Sequence, residues 1–502
     1  MIMAGQGTNT RKSAGALGLD GLPGADPALV FTGLSIDSRK TQPGHLFAGL
    51  PGENWHGAEF ADYARRMGAV AVLTDAAGAA IIAEASADFA LPVLVAPDAR
   101  HALALAAARF FDAQPEVMTA VTGTNGKTSV ASFTRQIWEA TGAAAVNFGT
   151  TGVEGAVSAP LSHTTPEPVE LHGLLSDLAA EGVTHAAMEA SSHGLVQRRL
   201  DGVHLTAAAF TNLSRDHLDY HADFEAYFAA KSGLFSRILG PGRVAVINTD
   251  DPQAGAMIQV ANARKQRVIR VGRAETADLR LTAQRFDATG QDIRFTWEDR
   301  AHTARLDLIG GFQASNVLVA AGLALGSGLD DAQVFPALGQ MKTVRGRMEL
   351  VATRQNGAAV FVDYAHTPDA LLTALTNLRP HVMGRLLVVF GAGGDRDPGK
   401  RPMMGAAARD AADVAWITDD NPRTEDPATI RAEIRAEAPE ATEIGDRAEA
   451  ILSAVDALQP GDALLIAGKG HESGQVVGQD VYPFDDAEQA SIAVAALDGM
   501  RI

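Results

Sequence analysis

Gly123-Thr-Asn-Gly-Lys-Thr-Ser129 combines residue types and spacing that can hold a phosphate chain. The apolar run Val117–Thr122 leads into it, and a helix-like segment follows to Ala140. Gly123 and Gly126 let backbone approach phosphate closely, and a helix N-terminus offers unpaired N–H groups and a positive dipole end. Lys127 can reach the β- and γ-phosphates, and the Thr128 hydroxyl can hold Mg²⁺. Thr124, Asn125 and Ser129 complete the predicted loop. The general pattern G-x-x-x-x-G-K-[ST] would place glycine where this chain has Val121. A glycine-rich connection with a surface lysine is the plainer alternative; the preceding strand and following helix favour nucleotide binding.

A second group of chemical residues falls after later apolar runs. Ala359–Val362 releases Asp363-Tyr-Ala-His366, and Leu386–Phe390 releases Gly391-Ala-Gly-Gly-Asp-Arg396. Val414–Ile417 releases Asp419-Asp-Asn-Pro-Arg423, and Ala463–Ala467 releases Gly468-Lys-Gly-His-Glu472. Open α/β sheets bind ligands outside the carboxyl ends of their strands, so these loops predict one shared site.

The elements that must position these residues are short apolar runs alternating with helix-length segments. Further predicted strands are Ala69–Leu73, His185–Glu189, Ala207–Asn212 and Arg243–Asn248. The looser alternation over Ala274–Asp307 predicts an antiparallel edge. The fold class is therefore α/β with largely parallel sheets. Breaks near Asp112–Glu116 and Gly339–Arg347 divide the chain into domains 1–113, 114–344 and 345–502.

Composition narrows the function classes. In 502 residues, 60 acidic against 42 basic side chains give a formal net charge of −18. That balance opposes a nonspecific nucleic-acid binder and adhesion to anionic lipid. The absence of cysteine excludes disulfides, thiolate metal sites and cysteine nucleophiles. No segment approaches the roughly 20 apolar residues of a membrane span. Met1–Leu17 is polar and glycine-rich, without an apolar run and cleavage site. These features predict a soluble, cytoplasmic protein.

The phosphate loop together with a series of motifs resembles the Mur ligases, ATP-dependent amide-bond enzymes of peptidoglycan precursor synthesis. The motifs are Ser35-Ile-Asp-Ser-Arg39, Pro43-Gly-His-Leu-Phe47, His163-Thr-Thr-Pro166, Met188-Glu-Ala-Ser-Ser-His193 and Phe210–His221. They continue with Gly346-Arg-Met-Glu349, Asp363–His366, Gly393–Asp397, Asp420-Asn-Pro-Arg423 and Gly468–Glu472. The resemblance implies three domains: an N-terminal α/β domain for a UDP-muramoyl substrate, a central ATPase-like parallel-sheet domain, and a C-terminal Rossmann-like domain for an amino acid. It also implies that a substrate carboxylate becomes an acyl phosphate, which an amine then attacks.

By resemblance, Lys127, Glu189, His217 and Lys231 are catalytic, with Thr128, Glu189, His217 and a CO₂-derived carbamate on Lys231 around a pair of Mg²⁺ ions. From the residues alone, Glu189 also suits a buried salt bridge, His217 a core histidine and Lys231 a snorkelling surface lysine. Asn316, Arg347 and Asp363 match the adenine and ribose side of ATP, although Ile309–Asn316 and Val344–Gly346 depart from the usual family motifs. Ser38, Thr164, Thr165, Ser191, Gln197 and Arg199 match positions for UDP-N-acetylmuramoyl-L-alanyl-D-glutamate; helix capping is the plainer duty for Ser191 or Thr164.

The incoming residue is predicted to be meso-diaminopimelate, held by Arg396, Asp420, Asn421, Pro422, Arg423, Gly468 and Glu472. Arg423 supplies the forked cation suited to the distal carboxylate that lysine lacks. His366 suits either ATP or the incoming amine. The alternatives are a lysine-adding relative, a folylpolyglutamate synthetase and an ATP-binding switch; the Asp-Asn-Pro-Arg run opposes the first two. The expected protein is a monomer without nucleic-acid or membrane partners.

Overall fold

A computed structural model describes residues 10–52, 54–86, 89–216 and 220–499. Three parallel-rich sheets follow one another along the chain. The first comprises Gly33–Ser35, His45–Ala48, Ala71–Thr74 and Val93–Val95 in spatial order, all parallel. Leu34, Leu46, Leu73 and Leu94 pack with Leu103 and Phe110 of the Ala99–Phe111 helix. Asp98 caps that helix, and Asp112 ends it in the left-handed conformation.

The second sheet has ten strands. Its parallel part runs Ala145–Gly149, His185–Glu189, Val117–Thr122, Ala207–Phe210, Val244–Asn248, Arg267–Gly272 and Leu279–Asp287. Gly290–Trp297 and Arg300–Leu306 extend it antiparallel, as the loose alternation predicted, and Gly152–Gly155 adds an antiparallel strand at the opposite edge beside Ala145–Gly149. Period-2 alternation divides the side chains between two cores. Ala207, Ala209, Val244 and Val246 face the Lys127–Ala140 and Phe312–Gly326 helices. Ala208, Phe210, Ala245 and Ile247 face the opposite core, where the Ala254–Ala263 helix packs on the Val244–Asn248 strand.

The third sheet orders Glu349–Thr353, Ala359–Asp363, Ala463–Ala467, Leu386–Phe390, Val414–Ile417 and Thr442–Glu443. Its first pair is antiparallel and the rest are parallel. Leu386, Val388 and Phe390 lie in one core, Leu387 and Val389 in the other. Below its Ala467 end, Arg447 and Asp486 form a fully buried ion pair at 2.7 Å. Arg447 Nη2 also donates to the Ala467 carbonyl at 3.0 Å, so the desolvated cation has several acceptors.

Some strand limits differ from the expectation. The strand beginning at Ala207 stops at Phe210 rather than Asn212, because Thr211 and Asn212 leave the sheet to bond the phosphate loop. The N-terminal strand is Ala71–Thr74 rather than Ala69–Leu73. The hairpin formed by Gly474–Val477 and Asp480–Pro483 had no counterpart in the sequence reading.

Candidate functional site

Parallel register determines what stands beside the phosphate loop. Glu189 pairs with Val121, and Phe210 pairs with Thr122, so three strand ends finish at one level. Gly123 has φ 154°, and a Cβ there would meet Thr211 Oγ1; Gly126 has φ 86° and lies against Asn316. The neighbouring strand end holds the loop. The Asn125 N–H donates to Asn212 Oδ1 at 2.9 Å, and the Thr124 N–H donates to the Asn212 carbonyl at 2.9 Å. Lys127 Nζ donates to the Gly123 and Thr124 carbonyls at 2.9 and 2.8 Å. Desolvation lowers its pKa, opposed by the Glu189 and Asp216 charges.

Glu189 is 2% exposed, and its carboxylate accepts from the Thr150 N–H at 2.8 Å and hydroxyl at 3.2 Å. Hydrogen bonds from Thr150 thus accompany it where a salt bridge was the plainer expectation. Lys231 is 1% exposed, contrary to a snorkelling role. Its Nζ donates to the Gly123 carbonyl at 2.7 Å and lies 4.4 Å from the Tyr227 ring centroid. Burial moves its pKa well below the ordinary lysine value, and the Lys127 charge adds to the effect. His217 lies outside the described residues.

A cavity of about 780 Å³ is lined by Thr124 through Ser129, Glu189, Lys231, Asn316, Arg347 and Asp363. Thr164, Thr165, Ser191, Gln197 and Arg199 line its other side. Ser191 caps the following helix through the Gly194 N–H at 3.0 Å while still facing the cavity. Thr164 Oγ1 contacts Thr150 Oγ1 at 3.1 Å rather than capping a helix. Arg199 pairs with Glu167 at 2.5 Å and donates to Gln197 Oε1 at 2.7 Å; burial lowers its pKa despite these partners. Ser38 begins a short turn in the N-terminal domain and does not line this cavity. Gly123 is likewise beneath the lining, with its carbonyl turned to Lys127 and Lys231.

The link to the third sheet enters the same cavity. Arg347 stacks over the Tyr364 ring at 4.4 Å and donates to Thr128 Oγ1 at 3.1 Å. Asp363 accepts from the Met348 N–H at 2.7 Å; burial raises its pKa, while Arg347 opposes the rise. Asn316 Nδ2 donates to Gln313 Oε1 at 3.2 Å.

A second cavity, of about 340 Å³, lies over the third sheet. Arg396, Asp420, Asn421, Arg423, Gly468 and Glu472 line it; Pro422 does not. Arg423 has φ 51°, a conformation that costs about 1–3 kcal/mol for a non-glycine residue. Its N–H donates to the Val476 carbonyl at 3.1 Å, and its carbonyl accepts from Gly478 at 2.7 Å, so the hairpin clamps that turn. Its Nη1 donates to the Gly394 carbonyl at 2.8 Å.

Lys469 escaped the sequence reading. Fully buried, its ammonium donates to Asn421 Oδ1 and Glu472 Oε2, both at 3.1 Å, and to the Gly474 carbonyl at 2.6 Å. Its position between Gly468 and Gly470 was an available signal, since those residues have φ 117° and 56°. Thr150, Asp216 and Lys400 carried no comparable local signal.

The cavities adjoin. His193, Asp216, Tyr364, His366 and Asp369 line both. His366 Nδ1 contacts the Tyr364 carbonyl at 2.8 Å. Burial lowers the imidazole pKa, with Asp216 opposing and Lys400 and Arg347 reinforcing the shift. The arrangement can bring a phosphate chain, a carboxylate and a charged amine to a common wall.

Comparison with known proteins gives matches throughout the chain. A family model described as Mur ligase family, catalytic domain matches residues 30–111. Those described as Mur ligase middle domain and Mur ligase, glutamate ligase domain match 121–324 and 346–470. The chain is 51% identical over 477 residues to the UDP-N-acetylmuramoyl-L-alanyl-D-glutamate–2,6-diaminopimelate ligase of Brucella melitensis, covering 94% of this chain and 96% of that protein. It is 50% identical over 473 residues to the ligase of that name from Bradyrhizobium diazoefficiens, with 93% and 96% covered. A solved structure of a ligase bearing that name has TM-score 0.68 and 35% identity, covering 94% of this chain and 96% of its own. The MurF ligase of Thermotoga maritima in complex with ADP shares the fold at TM-score 0.62 and 16% identity, covering 93% and 97%.

Proposed function

The chain belongs to the Mur ligase family, and from that premise we propose that it joins meso-2,6-diaminopimelate to UDP-N-acetylmuramoyl-L-alanyl-D-glutamate as ATP is cleaved to ADP and phosphate. The observation carrying this reading is the meeting of a phosphate-loop cavity with a cavity containing Arg396, Arg423 and Glu472. We assign the UDP-muramoyl substrate to residues 1–113 with Thr164, Thr165, Ser191, Gln197 and Arg199, ATP to 114–344 with Arg347 and Asp363, and the amino acid to 345–502.

The substrate carboxylate forms a bond to the γ-phosphorus while the bond to the ADP oxygen breaks. The amine then forms the amide as phosphate leaves. Lys127, with backbone N–H groups at the start of its helix, binds phosphate oxygens after exchanging its present carbonyl partners. Arg347 orients the nucleotide from the other side. In the second cavity, Arg423 and Arg396 oppose the distal carboxylate, and Glu472 opposes the distal ammonium.

Among the described residues no cluster of three or more His, Cys, Asp or Glu could hold a metal alone. The Thr128 hydroxyl and buried Glu189 carboxylate nevertheless suit Mg²⁺, which takes few protein ligands when phosphates and waters complete its shell. Thr128 and Glu189, with His217 and carbamylated Lys231, would hold Mg²⁺, which supplies charge neutralisation along the triphosphate. Burial favours the neutral Lys231 amine, the form that adds CO₂ and releases a proton to become a carbamate. No helix among the described residues is long and apolar enough to cross a membrane. We assign the enzyme to the cytoplasm, acting as a monomer.

The test is phosphate release and product mass with ATP, Mg²⁺ and the UDP-muramoyl dipeptide, adding diaminopimelate or lysine. Diaminopimelate is expected to yield the tripeptide, with lysine at least about 10⁴-fold poorer because Arg423 would lack its carboxylate. Release with lysine alone would remove the specificity assignment. No release with either amino acid would leave an ATP-binding switch.

A further inference from the structure

The ligase reading leaves a proton to place. At neutral pH the incoming amino acid presents an ammonium, which has no lone pair for attack on the acyl phosphate. Attack forms an N–C bond and breaks the C–O bond to phosphate, which leaves with that electron pair. Of the three ammonium protons, one remains on the amide and one departs as hydrogen phosphate. The third requires a base present before attack.

His366 stands in the wall shared by the two cavities. A carbonyl oxygen can only accept, so the 2.8 Å contact with Tyr364 places the hydrogen of the neutral ring on Nδ1. The Nε2 lone pair is then available, and Nε2 has no hydrogen-bond partner among the described residues. The Tyr364 ring packs against the imidazole at 4.6 Å, limiting its rotation.

Charged and titratable groups reach it from several elements. Asp216 comes from the central domain, Arg347 from the link, and Lys400 from the Lys400–Ala411 helix, where its Nζ donates to the His366 carbonyl at 3.2 Å. His193 and Asp369 share the cavity walls. Burial, Arg347 and Lys400 favour the neutral ring before reaction, while Asp216 can stabilise the imidazolium after it.

We propose that His366 Nε2 is the catalytic base that removes one proton from the incoming ammonium before attack. The inference rests on the ligase reading and adds a residue to it. The resulting imidazolium returns its proton to solvent after amide formation, closing the proton balance.

His366→Asn tests the role, because its amide can retain a donor toward Tyr364 but has no basic nitrogen. Acyl phosphate would be trapped with hydroxylamine from ATP, Mg²⁺ and the UDP-muramoyl dipeptide without amino acid. Amide formation would then be followed by mass after adding diaminopimelate. Trapped acyl phosphate is expected to persist while amide formation falls at least about 10²-fold. That deficit should narrow from pH 7 to pH 9.5 as free amine increases. Added imidazole should restore amide formation to His366→Gly. Equal loss of both half-reactions, a deficit independent of pH, or unchanged amide formation overturns the proposal. Absence of trapped acyl phosphate with the unsubstituted enzyme overturns the underlying ligase reading instead.

Discussion

Lys469 illustrates how a residue without obvious access to ligand can govern a site. One ammonium braces Asn421 and Glu472, leaving the other oxygen of Glu472 for the distal ammonium of the amino acid proposed above. Hydrogen bonds to charged groups contribute about 1.5–3 kcal/mol, equivalent to roughly 10- to 150-fold in binding. Lys469→Met retains much of the apolar stem and removes the brace. It is expected to raise KM for diaminopimelate about 10- to 100-fold while leaving KM for ATP within about twofold. Steady-state kinetics with each substrate varied would check this. Equal increases in both constants would reduce Lys469 to general support of the fold.

The junction between the Ala99–Phe111 and Pro168–Ala180 helices has its own pH dependence. His172 donates from Nε2 to the Asp201 carbonyl at 3.1 Å. Asp201 also accepts from Arg237 at 2.9 Å and contacts His101 at 2.6 Å. Burial pushes the His172 pKa down to about 4 from 6.5. Between those values the unfolded chain holds a proton that the folded chain excludes, so stability falls as pH drops through the window. The loss from this group is about 3 kcal/mol at most. His172→Gln keeps a donor for the carbonyl and removes the titration. Thermal unfolding midpoints measured from pH 7 to pH 4.5 should therefore fall less steeply in the variant; parallel curves would dismiss the effect.

At the scale of the molecule, the Val344–Met348 link brings the third sheet over the phosphate loop. Gly346 has φ 67°, and a Cβ would lie 2.3 Å from the backbone nitrogen of His471. Gly346→Ala must therefore move backbone and displace Arg347 from Tyr364 and Thr128. A higher KM for ATP and lower kcat are expected. Gly357→Ala separates backbone strain from site geometry: φ is 87° there, but nothing lies within 4 Å of the added carbon. It should lower thermal stability with little effect on KM. Similar kinetic losses in both variants would assign the Gly346 effect to destabilisation alone. The net charge of −18 gives no attraction for the anionic substrates proposed above, and we assign that attraction to local cations such as Lys127, Arg199, Arg396 and Arg423.

The sequence by itself determined the phosphate loop, the alternation of strands with helices and the polar loops at strand ends. These are local properties: glycines permit positive φ, alternating apolar residues suit sheet faces, and a helix begins beside its own loop. Only tertiary structure decided the strand order and which distant groups meet. Lys231 reaches Gly123 across 108 residues, and Lys469 reaches Asn421 across 48. Thr150 acquires its relation to Glu189 because parallel pairing places their strand ends side by side. The sequence left His366 open between ATP and the incoming amine, and packing placed it in a wall common to both cavities. Such juxtapositions depend on packing and electrostatics across long chain separations, for which residue spacing alone contains no geometry.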